Sequence, residues 1–299
     1  MISLLKDHKP EFPNTKIRPV QPITGSAIEK LDILVSNILV QILPFLKYRV
    51  GNSEKLRTNI KDVNENLPEE YIIASLDVVN MYPNVPTDEK ALNVVKEYII
   101  KHWDNINMFG FKVNHVITML EFIFKNTYIM YGEQYYIQVE GIGTGLHTSG
   151  AYAEIIVDYI YTNAVKQSPI KPSGLSCYVD DSLTIWPGNR ITFIEFRNLL
   201  GTFWQTMKFE EVIDDGSGVP CLDMRFYKDA SNKIQHDFYQ KPTNSGRYMH
   251  YNSHCSMALK VNLVRTEAAR VYRCCSIKDG TMWKHIKNYP KTSFHPAIP

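Results

Sequence analysis

The 299-residue sequence has no uninterrupted apolar run of the roughly 18 residues that a membrane-spanning helix needs. Its nearest approach, "LDILVSNILVQILPFL", is broken by Asp32, Ser36, Asn37 and Gln41, and its apolar spacing is that of an amphipathic helix. No membrane partner is expected. The opening "MISLLKDHKPEF" lacks the long apolar segment and small-residue cleavage site of a secretory signal. Cysteine is scarce and odd in number: Cys177, Cys221, Cys255, Cys274 and Cys275 follow no disulfide-framework spacing, which favours a reducing, intracellular compartment. Net charge is also small, since 33 Lys and Arg stand against 31 Asp and Glu. The balance hides an asymmetry. From Lys233 to Pro299 there are 11 basic residues and 3 acidic ones, so the preceding chain is acidic overall. Tyr239, Tyr248, Tyr251, Tyr272 and Trp283 are interleaved with that basic segment, a composition suited to a nucleic-acid backbone and equally to a solvated helical face.

What is present reads as alternating helices and strands over about two domains' length. Helical periodicity runs from about residue 26 to 47, and "TDEKALNVVKEYIIKHW" opens with Thr87 as an N-cap candidate and acids in its first turn. "VNHVITMLEFIFKN" reads as a helix, and "TYIMYGEQYYIQV" as a hairpin turning at Gly132-Glu133. "EEYIIASLDVV" is a buried strand ending near Asp77. The middle of the chain then gives a helix over 149–166, two strands joined at Asp180-Asp181, a helix over 191–207 and a strand over 209–213. "CLDMRFY" and "KIQHDFY" read as two further strands. This order is βαββαβ, in which the first strand lies beside the central hairpin, so Asp77 is expected next to Asp180 and Asp181.

Adjacent acids at the tip of an apolar hairpin are either turn-formers or cation ligands. Three carboxylates at one sheet edge repel and raise one another's pKa. Oxygen-only ligands select hard ions such as Mg²⁺ or Mn²⁺, and Mg²⁺ usually keeps waters and binds substrate phosphates. Convergent acids, hard metal and phosphate point to phosphoryl transfer.

At these residues the sequence resembles a known family. "YVDD" (residues 178–181) is similar to the Y-x-D-D box of reverse transcriptases, and "SLDVVNMYPNVP" resembles their first aspartate motif. "GIGTGLHTSGAYA" keeps the spacing of the motif between them through Gly141, Gly145 and Ser149. "CLDMRFYKDASNKIQHDFYQKPTNSGRYMHYNSH" and the opening "LLKDHKP…TKIRPVQPITGS" resemble the Penelope-like retroelements, so the likeness runs from about residue 4 to 276. The family's middle motif carries two prolines; here residues 144–150 read "TGLHTSG" with neither, and His147 stands where a small rigid residue is expected.

The resemblance implies an α+β, right-hand polymerase with fingers, a ferredoxin-like palm and a partial helical thumb. The implied division is fingers over 1–70, a palm strand with the first Asp motif over 71–86, fingers and palm helices with a hairpin over 87–140, palm over 141–253, and the start of a truncated thumb over 254–299. The implied activity is that of an RNA-directed DNA polymerase, with an RNA template, a DNA primer and deoxynucleoside triphosphates as partners and a nuclear location favoured. Asp77 and Asp180 would ligate two Mg²⁺ ions, for which Mn²⁺ can substitute, with Asp181 as third carboxylate and the Val78 carbonyl in the shell. Tyr82 matches the aromatic gate against a 2′-hydroxyl. Arg18 with Lys6 or Lys9 would neutralise the triphosphate, and Gln138 would touch the nucleotide. Gly141, Gly145 and Ser149 would admit template and base closely, although helix capping also accounts for Ser149. Tyr178, Lys241 and Arg247 would hold primer and template, and Lys208 would protonate pyrophosphate. His250, His254, Cys255, Cys274 and Cys275 fit no firm zinc spacing. Competing functions are a degenerate module that binds primer–template without chemistry, and a telomerase-like or template-independent nucleotidyl transferase.

Overall fold

Strand β3 (Ile72–Val78) organises the molecule, because its alternating side chains feed two separate cores. The computed structural model describes residues 2–4, 18–20, 23–131, 133–242, 244, 248–250 and 252–277, with the backbone alone at 2–4, 18–20 and 130–131. Ahead of β3 come an antiparallel pair, β1 (Ile2–Leu4) and β2 (Arg18–Val20), and two helices, α1 (Glu29–Leu39) and α2 (Ser53–Glu65). After it come a single turn, α3 (Met81–Asn84), then α4 (Glu89–Lys101), α5 (Val113–Lys125) and a hairpin of β4 (Tyr128–Tyr131) and β5 (Gln134–Ile137). The chain continues through α6 (Ser149–Gln167), β6 (Gly174–Tyr178), β7 (Asp181–Trp186), α7 (Arg190–Leu200) and β8 (Phe209–Ile213). It closes with β9 (Val219–Cys221), β10 (Met224–Lys228), β11 (Ile234–Phe238) and α8 (Met257–Cys274).

The main sheet has the spatial order β6-β7-β3-β8, every neighbour antiparallel. Helices α6 and α7 cover one of its faces. Tyr161 of α6 exchanges a hydrogen bond with Ser182 of β7 at 2.8 Å and meets the Phe209 ring edge-on at 5.9 Å. Trp186 packs against Phe193 and Phe196 of α7, with centroids 5.8 and 4.9 Å away. Burying a phenylalanine as fully as Phe193 or Phe196 contributes roughly 1.5–3 kcal/mol. On the opposite face Ile73, Leu183 and Ile185 join a second core built from α2, the β9–β11 sheet and the last turns of α8. Residues 48–50 close the free edge of β6: Cys177 donates to the Tyr48 carbonyl at 2.7 Å, and Val50 donates to the Cys177 carbonyl at 2.8 Å.

Three expectations need correction. The helix read over 191–207 stops at Leu200, because Thr202 turns back to bond the Leu199 carbonyl and Trp204 leaves the helix to reach the Asp88 carboxylate. "CLDMRFY" is two antiparallel strands, split by a Leu222-Asp223 turn in which Leu222 takes the left-handed conformation (φ 55°). The helix read to residue 47 ends at Leu39 and passes into a tighter turn over Val40–Phe45 containing Pro44, which cannot donate a helical hydrogen bond. All five cysteines are free, and among the described residues no helix is long and apolar enough to cross a membrane.

Candidate active site

The register of the sheet sets a row of side chains at the carboxyl end of β3. Tyr178 pairs with Asp181, Asp181 with Asp77, and Asp77 with Glu210. Directly paired residues of antiparallel strands project to the same face, so one tyrosine and three carboxylates cross four adjacent strands in line. Asp180 stands beside them at the hairpin tip, where its carbonyl accepts from the Val78 N–H at 3.0 Å. The connection is a two-residue turn, Val179-Asp180, and Val179 is held at φ 55°. A β-branched residue in that region is strained by about 1–3 kcal/mol and persists because both flanking strands are locked in the sheet. Of the two adjacent acids, Asp180 forms the turn and Asp181 faces Asp77.

The electrostatics follow from this crowding. Asp77 reaches solvent, yet the packed sheet face strips part of its hydration, and that desolvation is the largest cause of a pKa pushed up to about 6. The charges of Asp180, Asp181 and Glu210 push the same way, and the Lys241 ammonium opposes them. Burial also raises Asp181, against hydrogen bonds from the Leu222 N–H at 3.1 Å and the Cys221 side chain that favour its ionised form. Among the described residues no group of three or more His, Cys, Asp or Glu side chains is arranged to hold a metal by itself. The donor set nonetheless fits a hard divalent cation. All of the oxygens are carboxylate, they raise the pKa of Asp77 by mutual repulsion, and Mg²⁺ ordinarily completes its shell with water and phosphate oxygens rather than a protein cage.

The segment after β3 delivers Tyr82. Asn80 breaks the strand in the left-handed region (φ 45°), and Asn84 donates its side-chain amide to the Val79 carbonyl at 2.8 Å. Tyr82 lies half-buried on α3, and its carbonyl accepts from Ile142 at 2.8 Å, which joins this turn to the 141–148 loop. Gly141 adopts φ +69°, and a Cβ there would lie 2.2 Å from the Pro83 carbonyl oxygen. The close backbone approach read from the sequence is thus an approach to Pro83. Gly145 sits in a turn of the same loop. Ser149 is buried at the start of α6 and donates to the Gly143 carbonyl at 2.6 Å, closing the loop rather than capping the helix by its side chain. The 147–148 turn is held by Asp32, a fully buried carboxylate of α1. It accepts from the His147 N–H at 2.6 Å, the Thr148 N–H at 3.2 Å and the Thr148 hydroxyl at 2.7 Å. A carboxylate bonded to free N–H groups at the N-terminal end of α6 is also favoured by the helix dipole.

Other expected site residues are scattered around this centre. Lys208 is exposed just before β8, its carbonyl accepting from Val79 at 2.9 Å. Gln138 follows β5; its backbone N–H donates to Thr127 and its side chain to the Glu140 carbonyl. Lys241 is exposed after β11, near enough for its charge to act on Asp77 and Asp181. Lys6, Lys9 and Arg247 lie outside the described residues, as does the Arg18 side chain. Sequence reasoning missed Glu210 and Asp32. Glu210 follows from the β3–β8 register alone, whereas the only advance sign of Asp32 is an acid interrupting an apolar helical stripe.

The strand–helix–strand–strand–helix–strand unit carries its acids at one end of an antiparallel sheet in an α+β fold. No family model and no curated protein matches the chain. Among solved structures, its fold is similar to telomerase from Candida albicans in complex with the TWJ fragment of telomeric RNA (TM-score 0.58, 10% identity, 81% of this chain and 43% of that one). It is also similar to the BmCPV RNA-dependent RNA polymerase at the elongation state (TM-score 0.53, 10% identity, 92% and 25%) and to telomerase from Candida tropicalis (TM-score 0.52, 10% identity, 86% and 45%). The chain spans less than half the length of each of these structures. At such identities the likeness is one of fold.

Proposed function

We propose that this chain is an RNA-directed DNA polymerase of the Penelope-like retroelement type, extending a primer 3′-hydroxyl on an RNA template. The observation that carries the reading is the Asp77–Asp181 pairing with Asp180 at the adjoining tip, since like charges set opposite each other on a sheet are unfavourable without a cation. The polymerase folds to which the chain is similar, and the sequence motifs on the same residues, support it.

In this reading β3 and β6–β8 with α6 and α7 are the palm, the N-terminal segments and the β4–β5 hairpin belong to the fingers, and α8 begins the thumb. Asp77 and Asp180 would hold two Mg²⁺ ions, with Asp181 as third carboxylate and the Val78 carbonyl as a further ligand. When bound, these ions lower the pKa of the primer hydroxyl and neutralise charge on the triphosphate. The new bond joins the 3′-oxygen to the α-phosphorus as the bond to pyrophosphate breaks, the hydroxyl proton passing to water. Lys208 returns a proton to that leaving group. Tyr82 packs under the sugar and excludes a 2′-hydroxyl. Arg18, Lys6 and Lys9 meet the triphosphate, and Gln138 the nucleotide. Tyr178, Lys241 and Arg247 orient primer and template, while Gly141, Gly145 and Ser149 shape the floor beneath the templating base. Action on retroelement RNA and DNA is intracellular, and the family resemblance favours the nucleus over the cytoplasm.

Incubation with primed poly(rA), dTTP and Mg²⁺ tests the assignment. Extension by the wild type and none by Asp180→Asn supports it. Tight primer–template binding with no incorporation under any metal, unaffected by Asp77→Ala, would replace it with a binding module. Product length that ignores template length would replace it with a template-independent transferase.

A further inference from the structure

Asp181 is held from outside the main sheet. Its Oδ2 accepts the Leu222 N–H at 3.1 Å, and Leu222 occupies the left-handed region at φ 55°. A leucine there is strained, so the surroundings must fix the turn. They do so through its second residue. The Asp223 carboxylate takes a two-pronged grip from Arg270 of α8, with Nε at 2.9 Å and Nη2 at 2.5 Å, and the Asp223 carbonyl accepts the Tyr239 N–H at 2.9 Å. Arg270 is itself braced by Glu267 at 3.2 Å and lies over the Phe238 ring, 5.4 Å from its centroid. Within α8 only Val271 and Cys274 are buried, so Arg270 marks the point where an otherwise exposed helix enters the second core.

We propose that Arg270 is a positioning residue for Asp181, acting through the Leu222-Asp223 turn, so that the seating of α8 is read at the acid cluster. The proposal rests on the polymerase reading for its consequence in catalysis, but the mechanical link stands on the hydrogen bonds alone. A guanidinium suits this role because its planar fork fixes both position and angle of the carboxylate, which an ammonium cannot do.

The test uses the full chain and two readouts: hydrogen exchange of the Leu222 amide without metal, and the Mg²⁺ concentration for half-maximal incorporation on primed poly(rA). Arg270→Gln and Asp223→Asn should each speed Leu222 exchange and raise the Mg²⁺ requirement about tenfold, the range seen when outer partners of metal ligands are removed, with the primer–template KM unchanged. The double variant should be no worse than either single one, because both act through one turn. Arg270→Lys should fall between. Phe196→Leu, which weakens the other core without touching α8 or the turn, should lower Tm and leave both readouts alone. Unchanged Leu222 exchange in Arg270→Gln, an unchanged Mg²⁺ requirement despite faster exchange, or additive losses in the double variant would overturn the proposal. If the wild type incorporates nothing, the polymerase reading falls by itself and Mn²⁺ affinity, read by electron paramagnetic resonance, decides: a tenfold loss in Arg270→Gln supports the link, and no loss overturns it.

Discussion

Asp77 faces Asp181 directly across the β3–β7 ladder, both carboxylates on the face of the sheet opposite α6 and α7. With Glu210 on the other flank and Asp180 at the tip, the strand end crowds like charges that the Lys241 ammonium offsets only in part. Several consequences can be measured.

The first is a pH dependence of the metal-free protein. Asp77 is raised from 3.8 to about 6, and Asp181 is raised as well. The folded state therefore binds more protons than the unfolded one between these values, and stability falls as pH rises through that window. The contribution of the protonated form is fully present below about 3.8 and lost above about 6. Exposure of Asp77 to solvent moderates its size. Thermal melts in EDTA should show Tm declining across this range, with Asp77→Asn more stable than wild type at pH 7. Adding Mn²⁺ should raise the wild-type Tm and not that of Asp77→Asn.

Gly141 supplies a prediction about backbone. Alanine there meets both a positive φ and the Pro83 carbonyl, so it should destabilise by about 3 kcal/mol or more. Gly150, on α6 with open space around it, is the control: alanine should stabilise by about 0.5–1 kcal/mol. Urea denaturation of the two variants measures the contrast.

Removing the acceptor that clamps the 147–148 turn should be costly. Asp32→Ala orphans two N–H groups and a hydroxyl, a loss of about 2–4 kcal/mol in chemical denaturation. Asp32→Asn keeps one oxygen acceptor and should lose less.

Tyr82 tests sugar selection. Replacing it with alanine opens the space under the ribose, and preference for dTTP over UTP should fall on the order of 10–200-fold in kcat/KM. Equal discrimination before and after the change would assign Tyr82 to packing alone.

Much of this was legible in the sequence because the signals were local. The β-branched run ending at Asp77, the hairpin around Asp180-Asp181 and the apolar stripe of α6 each declare their own element, and chain order then brings the acids together. The misses were non-local or non-standard. Nothing in "CLDMRFY" shows that Leu222 turns left-handed, since glycine is the usual mark of such a turn. Glu210 becomes a neighbour of Asp77 only through a register between strands far apart in the chain. Asp32 is buried because its partners are backbone groups more than a hundred residues away, at 147 and 148.

Nucleic-acid binding offers a further check. If the basic C-terminal segment meets phosphates, log affinity for primer–template falls linearly with log salt, steeply in proportion to the contacts made. A flat profile would turn that surface elsewhere.

The most direct test is a Mn²⁺-soaked crystal with primer–template and an incoming nucleotide, read by anomalous scattering. The account predicts manganese bound by the carboxylates of Asp77 and Asp180 together, at about 2.0–2.2 Å as expected for a hard, octahedral ion. Manganese bound elsewhere, with the Asp77 side chain turned away from Asp180 and Asp181, would contradict it.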